Sequence, residues 1–582
     1  MEPSAAPPLI LDDLGQPRSS LYGDIYFSTV DGLAESRAVF LDGCDLPDAW
    51  AGRRQFVVGE LGFGTGLNII ALLDLWRRAG PADGRLHIFS VEGHPIDRAT
   101  AAAVLAAWPE VADLAKPLLA AWPSLARGFH RIDLPQYRVT LDLAYLEVAA
   151  ALQAWTGAAD AWFLDGFSPA LNPQMWRTDV LDLVAARSRP DARLATFTVA
   201  GAVRRGLQGA GFTVEKRPGF GRKRQRLVGW RDGAAEEARP EAAPPPPRVA
   251  VIGAGIAGAS IVRALEALGV TPSLYESRTP GAGASGNPAA LVTPRLDAGL
   301  GPVAELFAQA LRRASDFYRR VPGAVLEDGV LQLATRPRDG ARFAKIAGSD
   351  LFPAGEMQVT DALGRDALQQ GGAFVIRPRT VLQAWTPAAP HGRVDRLDAG
   401  RSGWTLWRGG QALEEVDHVV ICAGAAAAAL AALPLQPVRG QISIAPEAGG
   451  VQAMAWGGYM LAAPEGLVFG ATHDRDDAGD DMRPDDHGRN LQTLAAVAPE
   501  LAATLEPGQL GGRAAVRAVT PDRLPLAGQV APGLHVLGGL GSRGFCLAPL
   551  LAEHVAAQIL GAPTPLPASL SRLVDPSRFR AP

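Results

Sequence analysis

The chain has 582 residues, more than one hydrophobic core usually organises, so two or more domains are expected. Its composition, 48% hydrophobic and 20% charged with a net charge of −4, is that of an ordinary globular protein; it excludes a chain-wide pull toward nucleic acid or membrane, so any basic surface must be local. Cys44, Cys422 and Cys546 stand far apart without metal-ligand spacing, which excludes a disulfide framework and a cysteine metal site and fits a reducing, cytoplasmic setting.

The opening stretch MEPSAAPPLILDDLGQP has no basic residue before Arg18 and carries Asp12 and Asp13, which is not the pattern of a signal peptide. The first periodic unit is QFVVGE, a buried strand, followed by a glycine turn at Gly62, Gly64 and Gly66 and a helix over LNIIALLDLWRR. Glu60 stands at the strand end. A carboxylate there would oppose a pyrophosphate, whereas S-adenosylmethionine has no phosphate and presents an ammonium, a ribose and a sulfonium. The next strand, RLHIFSVE, ends in Glu92, placed to accept hydrogen bonds from ribose hydroxyls, and the strand in DAWFLD ends in Asp165. Taken alone the glycine turn is a weak signal, and Asp165 also suits a helix cap or an Asx-turn; three acids at successive strand ends favour a ligand site.

The stretches ELGFGTGLN, DAWFLDGFSPALNPQMW and DIYFSTVDGLAESRAVFLDGCDL resemble the methyltransferase half of the family of bifunctional bacterial enzymes that complete 5-methylaminomethyl-2-thiouridine in tRNA, over about residues 10–235. The resemblance implies that Asp165 lies at the catalytic centre beside the amine to be methylated. Methyl transfer needs a neutral amine, and alkylamines have a pKa of roughly 10, so a carboxylate that orients the amine and takes its proton suits the chemistry. Between Arg204 and Arg231 there are nine Lys or Arg against one acid, Glu215, and the residues around RPGFGRK predict a hairpin with a basic tip at Arg222, Lys223 and Arg224. This is either a solvated face or, in a tRNA enzyme, a phosphate contact.

A proline run, Pro244 to Pro247, then precedes RVAVIGAGIAGASIVRALEALGVTPSLYESR. A strand ends at Gly253, Gly255 and Gly258 follow, a helix comes next, and a second strand leads to Glu276, eighteen residues after Gly258. This is the full dinucleotide fingerprint, open at this point between NAD and FAD. Downstream, GVLQLAT and VRGQISIA alternate like strands of an inserted antiparallel sheet, and LHVLGGLGSRGFCLAPLLAEHVAAQIL reads as strand, glycine turn and helix returning to the nucleotide domain. The stretch from Val419 to Val438 is uncharged and nearly long enough to span a bilayer, but its β-branched start, Gly424, Pro434 and Pro437 predict a buried strand and a short Ala-rich helix, with no membrane contact.

This half is similar to the glycine oxidase and sarcosine oxidase group of FAD-dependent amine oxidases and, more narrowly, to the oxidase half of the same tRNA-modifying family, over about residues 248–560. The resemblance implies that Gly253, Gly255, Gly258 and Glu276 bind the adenosine and pyrophosphate of FAD. It places Ala284, Ser285, Gly286 and Asn287, and Gly541, Ser542 and Gly544, near the flavin. Arg517 matches the position that holds a substrate carboxylate, with Arg543 a second candidate; a guanidinium grips a carboxylate bidentately. Two departures stand out: Ala289 and Ala290 replace a Gln-Gly pair, and GRAAVRAVTPD holds no cysteine, so the flavin is expected to be non-covalent.

The expected architecture is α/β: a class I methyltransferase-like doubly wound sheet over residues 1–240, a proline-rich, semi-rigid linker over 241–247, and a Rossmann-type FAD domain over 248–575 with an inserted antiparallel substrate subdomain. Its nucleotide-binding segments are expected at about 248–330, 416–430 and 511–560. The resemblance implies a tRNA whose splayed wobble uridine first loses a carboxymethyl group as glyoxylate and then receives a methyl on the freed amine. Neither a metal nor an obligatory protein partner is expected. Two other readings of the same residues remain: a free amino-acid oxidase fused to a small-molecule methyltransferase, and a tRNA-binding scaffold without catalysis.

Overall fold

The computed structural model describes residues 9–13, 16–221, 223–232, 245–386, 390–401, 403–446 and 450–580. Arg222 and residues 241–244 of the expected linker lie outside the described residues. The chain divides into two compact units: Met1–Pro245 with Ala562–Ala568, and Pro246–Gly561 with Ser569–Pro582.

Unit 1 is built on an eight-stranded sheet. Its central strand, Gln55–Leu61, pairs in parallel with Arg85–Glu92 on one side and Ala159–Leu164 on the other. Leu61 is opposite both Val91 and Leu164, so Glu92, Asp165 and the glycine turn emerge at one edge of the sheet. Chain order reverses around this central strand, and the crevice at such a switch point is where open α/β sheets bind ligands. One apolar cluster, with Ile69, Ile70, Leu72 and Leu114, covers one face, and a second, with Leu152, Val180, Val184 and Leu207, covers the other. Helices on both faces explain why the inner strands are buried along almost their whole length rather than at alternate residues. At the far edge, Thr213–Pro218 and Gln225–Trp230 pair antiparallel as the expected hairpin.

Unit 2 holds a five-stranded sheet in the order Ser273–Tyr275, Val249–Ile252, His418–Ile421, Leu534–Gly538, Leu526–Ala531; the first four run parallel and the last antiparallel. The helices Ile256–Ala267, Pro302–Tyr318 and Gly544–Leu560 pack together. Where they meet, Arg313 is buried in a two-pronged pair with Glu553, at 2.6 and 2.7 Å. The inserted sheet has ten strands and is mostly antiparallel. It also claims Gly511–Val519, paired along Gln436–Ala445, and Val325–Leu333. The expected nucleotide segment 511–560 therefore begins in the substrate sheet, and only its later part enters the nucleotide sheet. No helix among the described residues is long and apolar enough to cross a membrane; Val419 lies in the strand His418–Ile421, and the helix beyond it is only Ala427–Leu430.

Candidate active sites

In unit 1 a cavity of about 430 Å³ opens at the strand edge, lined by the glycine turn and by residues from the N-terminal stretch. Gly62, Gly64 and Gly66 have φ of 94°, 52° and 78°, left-handed conformations in which a side chain is strained. The turn is fixed from below: Gly62 N–H and Phe63 N–H both donate to Val91 O at 3.0 Å. Glu92 lines the cavity and fixes it from the side, accepting from Gly64 N–H and His94 N–H, each at 2.8 Å. Asp165 also lines the cavity; its Oδ1 accepts from Gly166 N–H and its Oδ2 from Asn68 Nδ2–H, both at 2.8 Å. Burial pushes the Asp165 pKa up to about 6, and the Glu35 carboxylate adds to that rise while Lys223, Asn68 and Gly166 N–H oppose it. A carboxylate with a pKa near neutrality is matched to taking and releasing a proton.

Glu60 differs from expectation. It is fully buried and does not line the cavity; Ser90 Oγ–H donates to its Oε2 at 2.5 Å. Burial pushes its pKa up to about 8, and it sits between two central strands as a largely protonated group bonded to Ser90. Gly66 likewise stays out of the lining and starts the helix Leu67–Ala79. Residues that the sequence did not single out complete the site. Tyr22, Tyr26 and Phe167 form an aromatic wall, with ring centroids 5.0 Å apart for Tyr22–Phe167 and 5.2 Å for Tyr26–Phe167. Asp24 holds that wall by accepting from Ser168 N–H at 2.8 Å. Lys223 is exposed, as expected of the tip, and its ammonium also lines the cavity, 3.1 Å from Glu35. Arg224 is exposed, as a phosphate contact requires.

In unit 2 a cavity of about 1130 Å³ is lined by Gly253, Gly255, Glu276, Ser285 and Asn287, and by Gly541, Ser542, Arg543 and Gly544. A Cβ on Gly253 would lie 2.5 Å from Cys422 O, and one on Gly258 would lie 1.7 Å from Gly253 O; the turn is closed to side chains. Gly258 and Gly286 do not line the cavity but permit this close packing; a Cβ on Gly286 would lie 2.3 Å from Gly281 O. Glu276 Oε2 accepts from Ala254 N–H at 2.9 Å, and Ser285 Oγ accepts from Ile256 N–H at 3.0 Å. Arg513, which the sequence did not single out, staples the small-residue loop: Nη1 donates to Asn287 Oδ1 at 3.1 Å and Nη2 to Ala282 O at 2.8 Å. Ala289 is buried and Ala290–Val292 forms a regular strand, which defines the backbone path where the sequence departs from its resemblance.

Arg517 and Arg543 both line this cavity. Arg517 Nη2 donates to Thr472 O at 2.9 Å and Arg439 O at 3.4 Å, and Arg543 Nη1 donates to Thr293 Oγ1. Burial pushes both guanidinium pKa values down, the sign that each charge lacks its solvent and gains from an anion. Tyr459 and His473 stand in the same wall; burial raises the Tyr459 pKa to about 12, and burial together with Arg517, Arg475 and Arg523 lowers that of His473, so both are neutral near pH 7.

Residues 109–232 match the family of S-adenosyl-L-methionine-dependent methyltransferases, and residues 248–558 match FAD dependent oxidoreductases. Over 100% of its length the chain is 55% identical to the tRNA 5-methylaminomethyl-2-thiouridine biosynthesis bifunctional protein MnmC of Caulobacter vibrioides, covering 99% of that protein. A protein of the same description from Maricaulis maris is 45% identical over 97% of this chain and 94% of its own. The chain belongs to the MnmC family. Glycine oxidase from Geobacillus kaustophilus, a solved structure, aligns with 58% of this chain and 99% of its own at 21% identity and a TM-score of 0.49.

As an MnmC family member the chain is a bifunctional enzyme, a methyltransferase joined to an FAD-dependent oxidoreductase, and its cofactors are S-adenosylmethionine and FAD. The donor sets fit them. The unit 1 cavity carries Asp24, Glu35, Glu92, Glu147 and Asp165 against Lys223, the one Lys or Arg among its described lining residues, which suits a sulfonium and an ammonium and not a phosphate. In unit 2 the glycine turn leaves no room for a Cβ at the start of the helix Ile256–Ala267, where backbone N–H groups and the helix dipole favour a pyrophosphate.

Proposed function

We propose that this chain modifies the wobble uridine of tRNA in two steps: removal of the carboxymethyl group from 5-carboxymethylaminomethyl-2-thiouridine, then N-methylation of the resulting 5-aminomethyl-2-thiouridine. The observation that carries this reading is the opposite polarity of the two cavities. One presents the half-buried cations Arg517 and Arg543, and the other a wall of carboxylates around Asp165. A substrate that begins as an N-substituted glycine needs the first, and its product, a free amine, needs the second.

Bound FAD supplies a two-electron acceptor, and bound S-adenosylmethionine supplies an electrophilic methyl group. In unit 2, Arg517 holds the substrate carboxylate through charge-assisted hydrogen bonds and Arg543 adds a second positive charge. Tyr459 and His473, neutral near pH 7, add no negative charge to this wall. Hydrolysis of the oxidised C–N unit releases glyoxylate and a primary amine. In unit 1, Asp165 orients the amine and accepts its proton, with the carboxylate itself held by Asn68 and Gly166. Tyr22, Tyr26 and Phe167 offer faces on which a splayed base stacks. Arg224 meets the tRNA backbone. The N-terminal stretch DIYFSTVDGLAES supplies Asp24, Tyr26 and Glu35 to the cavity, which supports assigning it to the methyl-transfer site.

The test is nucleoside mass analysis of tRNA bearing carboxymethylaminomethyl-thiouridine after incubation with the FAD-loaded protein. Without S-adenosylmethionine the aminomethyl nucleoside accumulates; with it the methylaminomethyl nucleoside replaces it. Unchanged starting nucleoside in both incubations refutes the proposal.

A further inference from the structure

The hairpin Thr213–Pro218/Gln225–Trp230 ends in a loop whose Lys223 turns back into the methyl-transfer cavity. Its ammonium is 3.1 Å from Glu35 Oε1 and 4.0 Å from the centroid of the Phe197 ring. Glu35 is a side chain with only 10% exposure, and its other oxygen accepts from Ser28 N–H at 2.8 Å. Both charges bear on Asp165, Glu35 opposing its ionisation and Lys223 favouring it. Ion pairs at a protein surface are worth little, but this one sits across the wall of a reaction cavity, where its effect falls on a proton transfer.

We propose that Lys223 is a positioning residue for methyl transfer: its ammonium, latched by Glu35, sets the charge balance in which Asp165 accepts a proton from the incoming amine. This rests on the methyl-transfer reading given above. The amine reaches the site as an ammonium and must lose its proton before it can attack. Glu35 and Asp165 together, without Lys223, would hold it as an ammonium and would also keep Asp165 protonated. A neighbouring cation corrects both, because it favours the neutral amine and the ionised carboxylate together.

The other titratable groups facing the cavity are committed elsewhere. Glu92 accepts from the N–H groups of Gly64 and His94, and Glu147 from those of Ala149 and Ala150. Asp24 accepts from Ile25 N–H and Ser168 N–H. Burial, aided by Glu92, pushes the Tyr22 and Tyr26 phenols up and away from neutral pH. His94 contacts the Tyr22 hydroxyl at 3.3 Å and is common to every variant below, so it cancels in the comparison.

The experiment measures methyl-transfer kcat across the pH range on tRNA already carrying the aminomethyl group, with saturating S-adenosylmethionine and full-length protein. Lys223→Met moves the acid limb of the profile up by about one pH unit, so the rate drops about twofold near pH 7, approaches a loss of about tenfold below pH 6 and recovers at alkaline pH. Lys223→Arg keeps the wild-type limb. Glu35→Gln moves it down, and the charge-neutral pair Lys223→Met with Glu35→Gln returns it toward wild type. A purely structural role lowers the rate equally at every pH. That result, or a limb that stays in place in both single variants, overturns the proposal while leaving the parent reading intact. Absence of methyl transfer by the wild-type protein overturns the parent reading and this one with it.

Discussion

Replacing Arg517 by Met keeps most of the side-chain volume beneath the unit 2 cavity while removing the planar cation. The guanidinium gives its Nη2–H to Thr472 O and Arg439 O, which fixes its orientation on the strand Gly511–Val519. A carboxylate held by two charge-assisted hydrogen bonds, each worth about 1.5 kcal/mol, would lose about 3 kcal/mol, or about 150-fold in rate. The assay is anaerobic, single-turnover bleaching of bound FAD by tRNA carrying carboxymethylaminomethyl-thiouridine, with glyoxylate measured in parallel. Methylation of tRNA already carrying the aminomethyl group serves as the control, and it stays at the wild-type rate. Bleaching within threefold of wild type, in protein with a full complement of FAD, would refute the assignment of Arg517 to the substrate carboxylate.

Asp165→Asn abolishes the proton acceptor without changing shape, and methyl transfer drops about 10²- to 10⁴-fold while glyoxylate release continues; equal loss of both activities would count against a role confined to unit 1. In the wild type, methyl transfer depends on ionised Asp165, so its rate falls as pH drops through about 6. Glu60 makes a stability prediction of the opposite kind. Its folded pKa of about 8 lies above the unfolded value of 4.5, so the folded state holds the proton longer and stability is lost as pH rises from about 4.5 to about 8. Glu60→Gln flattens that decline in thermal unfolding midpoint; a parallel decline in both proteins contradicts the buried, protonated carboxyl. Arg224→Glu weakens tRNA binding and reduces the slope of log affinity against log salt by about one, measured by filter binding at several salt concentrations; an unchanged slope assigns Arg224 to solvent.

Local chemistry made much of this protein legible in its sequence. Gly253, Gly255 and Gly258 announce themselves because a tight turn, an anion-binding helix start and close packing leave room for nothing larger. Asp165 was legible because a hydrophobic run that stops at an acid marks a strand end, and strand ends are where such sheets bind ligands. The hairpin of unit 1 was legible from its flanking strands around glycine and proline.

Direction and reach were decided only by tertiary structure. Glu60 stands in a central parallel strand buried on both faces, so no alternation in the sequence tells which way its carboxyl points. Arg513 and Asn287 meet across 226 positions of chain, a contact made by docking a strand of the inserted sheet against the loop. Gly511–Val519 reads as the start of a nucleotide-domain segment, yet its pairing with Gln436–Ala445 draws it into the ten-stranded sheet. Lys223 sits in a basic run that reads as a solvated tip, and it is exposed; what the run does not reveal is its ion pair with Glu35, 188 residues earlier. Turns and strand ends are fixed by forces that act over a few residues, whereas the facing of a buried side chain and the partner of a long one are set by contacts that exist only once distant segments have packed.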